Sequence, residues 1–187
     1  MVLRVLGFAG SLRRGSYNRA LLRAAVELQP PGMEIATHDL AGLPLYNADL
    51  DVDGGPGAVV EFKRAIQQAD ALLIATPEYN YGVPGVLKNA IDWASRATPD
   101  NLRVLNGKPA AIVGASSGNS GTARSQLQLR QAFVYTQTYA LAVPEMLVAR
   151  CRDKFDAEGW LSDEPTREML RKLLVALADW TRRLTAA

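Results

Sequence analysis

Short apolar runs alternate with longer amphipathic segments along this chain, and this alternation constrains its fold more than any other feature. Strand-like runs lie at residues 2–9, 33–38, 70–76, 109–115 and 139–143. Helix-like segments lie at 18–29, 57–68, 84–95, 122–136 and 164–184. Strands that alternate with helices need crossover connections, so the pattern predicts an α/β fold with a parallel sheet and helices on both faces. Most of the strand runs are apolar throughout, as expected when both faces are covered.

Composition narrows the chemistry that such a chain can carry out unaided. One His and one Cys exclude an internal disulfide and a His/Cys zinc site. The 21 Lys and Arg residues against 19 Asp and Glu residues give a net charge of +2. That charge is too small to indicate a nucleic-acid or membrane partner. We therefore expect any chemistry here to depend on a bound cofactor.

The chain is expected to form one domain over residues 1–187, because no repeat, low-complexity tract or linker divides it. The apolar start is interrupted by Arg4 and is too short for a signal-peptide core. No apolar stretch approaches the roughly 20 residues that a membrane span needs. These observations lead to the expectation of a cytoplasmic protein.

Ligands of open parallel sheets bind beyond the carboxyl ends of the strands, where the strand order reverses. The first such loop, residues 10–18, has the sequence GSLRRGSYN. It offers the hydroxyls of Ser11 and Ser16, the amide of Asn18, the guanidinium groups of Arg13 and Arg14, and the N–H groups of a helix start. These donors suit a phosphate dianion, and a solvated turn whose Asn18 caps the helix is the alternative.

Two familiar phosphate loops do not fit this stretch. Gly10 and Gly15 have the glycine spacing of a P-loop, but Ser16 and Tyr17 stand where Lys and Ser/Thr are required. Ala9 breaks the glycine pattern of the dinucleotide fingerprint.

The loop after the third strand, residues 77–93, has the sequence PEYNYGVPGVLKNAIDW. Its prolines make it stiff, and it can present backbone groups to a planar heterocycle while Tyr79 or Tyr81 covers a ring face. A tight connection whose tyrosines pack on a neighbour is equally compatible with the residues.

Together the two loops resemble the NADPH-dependent FMN reductase family of the flavodoxin-like fold. The residues that match its phosphate loop are Gly10, Ser11, Leu12, Arg13, Ser16 and Asn18. Pro77 through Trp93 match its second signature, with Gly82 where several relatives carry Ser. Ser116, Gly118 and Arg124 match a third.

This resemblance implies a five-stranded sheet of order 2-1-3-4-5 and an enzyme that passes two electrons from NAD(P)H through FMN. The small acceptor would be a quinone, an azo compound, chromate or free flavin. By the resemblance, the FMN phosphate is held by Ser11, Arg13, Ser16 and Asn18. The ribityl chain and ring lie along Pro77, Glu78, Tyr79, Asn80 and Tyr81, with Ser116 near the flavin. A homodimer or homotetramer is also implied, although Leu127 departs from an aromatic residue of some relatives.

Other functions are less consistent with the sequence. Gly114-Ala-Ser-Ser-Gly118 matches a hydrolase elbow, but the lone His38 precedes Ser116, whereas a hydrolase needs its His downstream. Residues 49–54 open like a calcium loop, yet Val60 stands at the twelfth position. Cys151 is expected to be a passive thiol. A flavodoxin-type electron carrier and a non-enzymatic flavin-binding protein are the remaining alternatives.

Overall fold

The computed structural model describes residues 2–185, and its elements follow the predicted alternation. The strands are β1 (Leu3–Ala9), β2 (Met33–His38), β3 (Ala71–Ala75), β4 (Pro109–Ala115), β5 (Tyr139–Ala140) and β6 (Met146–Val148). The α-helices are α1 (Tyr17–Glu27), α2 (Gly57–Gln68), α3 (Gly85–Ala94), α4 (Ala123–Thr136) and α5 (Glu164–Thr185). Short 3-10 helices cover Leu40–Gly42, Ala48–Leu50 and Cys151–Lys154.

The strands form one parallel sheet in the order β2-β1-β3-β4-β5, and β6 also pairs with β4. This confirms the predicted flavodoxin-like order. The chain moves outward from β1 to β2 and then returns to β3 on the other side of β1. The order therefore reverses between β1 and β3, and a ligand crevice is expected at their carboxyl ends.

The fifth strand differs from its prediction as a single run over 139–143. β5 pairs with Pro109 and Ala110, and the chain then leaves the sheet before β6 pairs farther along β4. Pro144 cannot donate a ladder hydrogen bond, and Val143 before it is exposed. Two short strands thus cover the edge of β4 where the apolar pattern indicated one.

Each face of the sheet carries its own apolar core. Val5 packs with residues of α1 and α5 on one face, whereas Leu6 and Phe8 pack with residues of α2 and α3 on the other. Every residue of β3 and β4 is buried, because helices cover both sides. No helix within residues 2–185 is both long and apolar enough to cross a membrane.

Asp163 lies just before α5 and binds its first turn. Its carboxylate accepts a hydrogen bond from the N–H of Thr166 at 3.1 Å and one from Lys154 Nζ at 3.0 Å. Hydrogen bonds from the Thr166 side chain and from Lys154 lower the pKa of Asp163, although desolvation opposes them. The ionised cap therefore stabilises the fold above the pKa that Asp163 has in the unfolded chain.

We expect Asp163→Ala to reduce the free energy of unfolding by about 0.5–2 kcal/mol at pH 7, the usual range for a lost helix cap. The loss should shrink below about pH 4, because the wild-type carboxylate is protonated as the pH falls through its lowered folded-state pKa. Urea titrations of both proteins at pH 7 and pH 3 measure the difference. An equal loss at the two pH values would contradict an ionised cap.

Candidate active site

The loops that follow β1, β3 and β4 meet at the predicted edge of the sheet. The N–H of Gly10 donates to Ala75 O at 2.9 Å, which extends the pairing of β1 with β3. The N–H of Thr76 donates to Val113 O at 2.9 Å, which does the same for β3 and β4. The three stretches singled out in the sequence therefore start side by side.

The loop of residues 10–18 is a tight turn into α1. The N–H of Arg13 donates to Ser11 Oγ at 3.4 Å, and the N–H of Ser16 donates to Arg13 O at 3.2 Å. Ser16 is the N-cap of α1 and accepts from the N–H of Arg19. Helix geometry gives the N–H groups of Tyr17 and Asn18 no partner inside α1, so this end of the helix presents backbone donors.

Arg13 folds back over its own loop. Its guanidinium lies 5.8 Å from the ring centroid of Tyr17, within cation–π range. A Cβ on Gly15 would lie 3.0 Å from Arg13 Nη1, so the glycine leaves room for this side chain. The positive charge of Arg13 is thereby held beside the backbone donors of the loop.

Asn18 serves the loop in a way that the sequence did not indicate. Its side chain is buried, donates from Nδ2 to Ala115 O at 3.0 Å and accepts from the N–H of Ala115 at 2.9 Å. Both polar atoms of the amide thus engage the last residue of β4. Asn18 fastens the start of α1 to the neighbouring loop, and its direct contact with a phosphate stays a prediction.

Residues 79–82 form a tight hairpin turn. Asn80 and Tyr81 have φ values of 52° and 64°, and Tyr79 and Gly82 exchange N–H···O bonds of 3.2 and 3.0 Å. Two consecutive left-handed residues between such a pair define a type I′ turn. Tyr79 and Tyr81 are exposed on it, so both rings are accessible to a ligand, and Tyr81 also packs against the guanidinium of Arg124. Tyr79 Oη also donates to Ser11 Oγ at 3.3 Å, which joins the two predicted loops.

Glu78 directly precedes this turn, and its buried side chain binds the start of α4. Its carboxylate accepts from the N–H of Arg124 at 3.0 Å, from the Arg124 guanidinium at 2.9 Å and from the N–H of Ser125 at 3.4 Å. Burial raises the pKa of Glu78, but these hydrogen bonds outweigh it and the pKa lies below its ordinary value. Glu78 is therefore an ionised structural carboxylate at neutral pH.

Ser116 begins the loop after β4 and is held by the edge of the sheet. Its N–H donates to Val148 O at 2.9 Å, and its Oγ donates to Gly118 O at 3.4 Å. His38 ends β2, which is three strand spacings from β4, or about 14 Å. The histidine is too far away to activate Ser116 as a hydrolase base, and burial, the main influence, lowers the pKa of His38.

The loops form a surface of hydroxyl, amide and cationic donors beside a stiff aromatic turn, and comparisons with known proteins agree with it. The sequence matches the model of the family described as NADPH-dependent FMN reductase over residues 3–153. The chain belongs to this family. It is 52% identical over 182 residues to an NAD(P)H-dependent FMN reductase of Pseudomonas aeruginosa, covering 97% of each chain.

More distant members of the family agree as well. The chain is 40% identical over 185 residues to the quinone reductase of Escherichia coli K12, covering 97% of each. Among solved structures, it is similar to FerB, a flavoenzyme NAD(P)H:(acceptor) oxidoreductase from Paracoccus denitrificans. The TM-score is 0.86 at 35% identity, covering 97% of this chain and 98% of that chain. The predicted family, the fold and the use of FMN and NAD(P)H are confirmed.

The residues present fit FMN. A phosphate dianion suits the hydroxyls of Ser11 and Ser16, the Arg13 guanidinium and the N–H groups that begin α1. A planar ring suits the adjacent I′ turn, whose own hydrogen bonds use the N–H groups of Tyr79 and Gly82. Within the described residues, the N–H groups of Asn80 and Tyr81 have no backbone partner and can therefore donate to a ligand.

Sequence reasoning missed Gln128 on α4. Its Oε1 accepts from the N–H of Val83 at 3.0 Å, and its Nε2 donates to Tyr81 O at 3.4 Å. A glutamine on an amphipathic helix gives no local signal of such a contact. Gly82 leaves room for this side chain, because a Cβ there would lie 2.9 Å from Gln128 Oε1.

Two other sequence motifs have structural explanations. Asp51, in the stretch that opens like a calcium loop, lies 3.8 Å from the ammonium of the buried Lys63, whose Nζ donates to Gly54 O at 3.1 Å. The carboxylate thus faces a protein cation. Cys151 is buried, and burial raises the pKa of its thiol, which agrees with a passive role.

Proposed function

We propose that this protein transfers two electrons from NAD(P)H through FMN to a quinone, with FMN bound across the loops after β1, β3 and β4. The observation that carries the proposal is the bond between Tyr79 Oη and Ser11 Oγ, which unites the phosphate-type loop and the aromatic turn into one surface. A quinone acceptor is supported by relatives named as quinone reductases in Escherichia coli and Solanum tuberosum. Azo compounds, chromate and free flavin are the alternative acceptors.

The residues present indicate which roles belong to FMN and which belong to the protein. FMN, when bound, supplies the hydride chemistry that the chain's own side chains lack. Ser11, Arg13 and Ser16 would bind its phosphate. Asn18 would hold this loop in position through its bonds to Ala115. Pro77 to Tyr81 would orient the ring, because the I′ turn fixes the direction of their backbone groups. Ser116, the first residue after β4, would contact the flavin from the third of the three loops.

The proposal is tested by loading the purified chain with FMN and following NAD(P)H oxidation with a benzoquinone. We expect retained flavin absorbance, turnover that requires FMN and quinone, and reduction in a single two-electron step. Two separated one-electron steps without quinone turnover would favour the electron carrier. Flavin binding without NAD(P)H oxidation would favour the non-enzymatic alternative, and failure to bind FMN would exclude all three.

Arg13→Ala should weaken FMN binding by about 1–3 kcal/mol, or roughly fivefold to 150-fold, because a charge-assisted bond to the phosphate is lost. Fluorescence titration of FMN measures the dissociation constant. Arg14→Ala is the matched control, since the neighbouring guanidinium should contribute less. The reverse order of effects would assign the phosphate contact to Arg14.

We also propose that the protein assembles as a homodimer or homotetramer. Leu127, Val134 and Tyr135 are exposed on α4, and their spacing places them on one side of the helix. Exposed apolar residues grouped in this way are typical of interaction surfaces. Sedimentation equilibrium would give the assembly mass, and a monomer at micromolar concentration would contradict the proposal.

Two further expectations from the sequence remain proposals. We infer that residues 1–187 form one cooperative domain, which a single unfolding transition common to all spectroscopic probes would support. We also infer a cytoplasmic location, supported by the unpaired buried thiol of Cys151 and a dependence on NAD(P)H. Cell fractionation followed by immunodetection tests the location.

A further inference from the structure

Glu78 binds a helix that begins more than 40 residues later in the chain. The Glu78 side chain is 7% exposed; its partner Ser120 lies just before α4, and its partners Arg124 and Ser125 lie in the first turn of α4. Thr122, the N-cap residue of α4, has a φ of 72° and makes no side-chain capping bond. Glu78 therefore takes the place of the missing cap, where a negative charge also interacts favourably with the helix dipole.

Glu78 lies directly before the 79–82 turn, and the residues at the far end of that turn also bond to α4. Gln128 lies one helical turn beyond Arg124 and bonds to Tyr81 O and to the N–H of Val83. The hairpin is consequently held by α4 on both sides of its left-handed residues. Non-glycine residues adopt such backbone angles when the surrounding structure enforces them.

Tyr81 is fixed by the same contacts. The guanidinium carbon of Arg124 lies 3.9 Å from the centroid of the Tyr81 ring, while its Nη1 lies 2.9 Å from Glu78 Oε1. The buried carboxylate thus orients the cation, and the cation covers one face of the exposed ring. Arg124 and Tyr81 therefore form a stack at the surface, and the buried carboxylate of Glu78 holds its cation in place.

We propose that Glu78 is a positioning residue that holds the 79–82 turn and the Arg124–Tyr81 stack in the geometry that receives the flavin ring. The inference rests on the proposed function, because the turn is expected to orient FMN. Glu78 itself touches no reacting atom and acts through the turn and Arg124.

The experiment compares Glu78→Ala and Glu78→Gln with Asp163→Ala, which removes the carboxylate cap of α5, whose hydrogen-bond partners are Lys154 and Thr166 and not the 79–82 turn. We expect Glu78→Ala to accelerate amide hydrogen exchange at residues 79–83 in the protein without FMN. We expect about tenfold weaker FMN binding with altered flavin absorbance, the loss typical of one charge-assisted contact. Glu78→Gln should show smaller changes of the same kind, and it serves if the alanine variant does not fold. Asp163→Ala should lower stability alone.

A double-mutant cycle with Arg124→Gln completes the test. If Glu78 and Arg124 act as one unit, the double variant should bind FMN about as tightly as the single variant with the lower FMN affinity. Unchanged exchange at 79–83 and unchanged FMN affinity in both Glu78 variants would overturn the proposal and leave Glu78 a simple helix cap. If the wild type binds no FMN, the proposed function fails, but exchange in the FMN-free protein still decides whether Glu78 holds the turn.

Discussion

Replacing Gly114 with alanine should destabilise the fold by about 3 kcal/mol or more, at the upper end of the range for overpacked cores. A Cβ at this position would lie 1.8 Å from Thr122 Oγ1 and 2.7 Å from Thr76 O. Thr122 is fully buried, and Thr76 O belongs to the backbone, so neither atom can move away easily. The glycine allows the loops after β3 and β4 to approach within contact distance, and urea unfolding of the FMN-free protein measures the loss.

Gly118→Ala in the same loop is the matched control. The nearest atom to its Cβ would be Ser116 Oγ at 4.0 Å, so we expect a change of less than about 0.5 kcal/mol. Thr122→Ala in the Gly114→Ala background removes the shortest contact and leaves those to Thr76 O and to the Cβ of residue 122, so recovery should be partial. Full stability of Gly114→Ala would show that the loop can repack, and that close approach of these loops is not required.

The fold was predictable because its determinants are local in sequence. The strand runs at 70–76 and 109–115 are apolar at nearly every position, a pattern typical of strands buried on both sides. Pro77 and Pro84 place breaks where β3 ends and α3 begins. The phosphate-type loop was equally visible, since its hydroxyl, amide and guanidinium donors directly precede a helix start.

The contacts that shape the site were not predictable, because they join distant residues. The sequence predicts Asn18 to be a phosphate ligand or a helix cap, but its amide binds Ala115, which is 97 residues away. The partners of Glu78 and Gln128 are set by how α4 packs on the sheet, and no spacing in the sequence records that packing. Pro144 was a local indication that the fifth strand is interrupted, but the apolar run at 139–143 favoured a single strand.

These long-range contacts make the three loops interdependent. Asn18 joins the first loop to the end of β4, Tyr79 joins the second loop to Ser11, and Glu78 joins the second loop to α4. A cofactor that spans the loops must bind them in a fixed relative position, and preorganisation of this kind reduces the entropy lost on binding. A change in one loop should therefore affect the affinity for FMN even where it touches no part of the ligand.

Asn18→Ala is expected to cost about 2–4 kcal/mol in the free energy of unfolding, because it leaves the buried N–H and C=O of Ala115 without partners. The loss should be present in the FMN-free protein. If Asn18 acted only as a phosphate ligand, its removal would leave the stability of that protein unchanged and would weaken FMN binding alone. Urea titration without FMN, followed by FMN titration under folding conditions, separates the two roles.

Asn47→Ala is the matched control for this prediction. Asn47 Oδ1 also accepts a backbone N–H, that of Asp49 at 2.9 Å, but on an exposed 3-10 turn where water can replace the lost bond. Its removal should cost about 1 kcal/mol or less, so the difference between the variants measures the burial of the Asn18 contact. Equal losses would indicate that the pairing of Asn18 with Ala115 stabilises the loop no more than an ordinary turn contact.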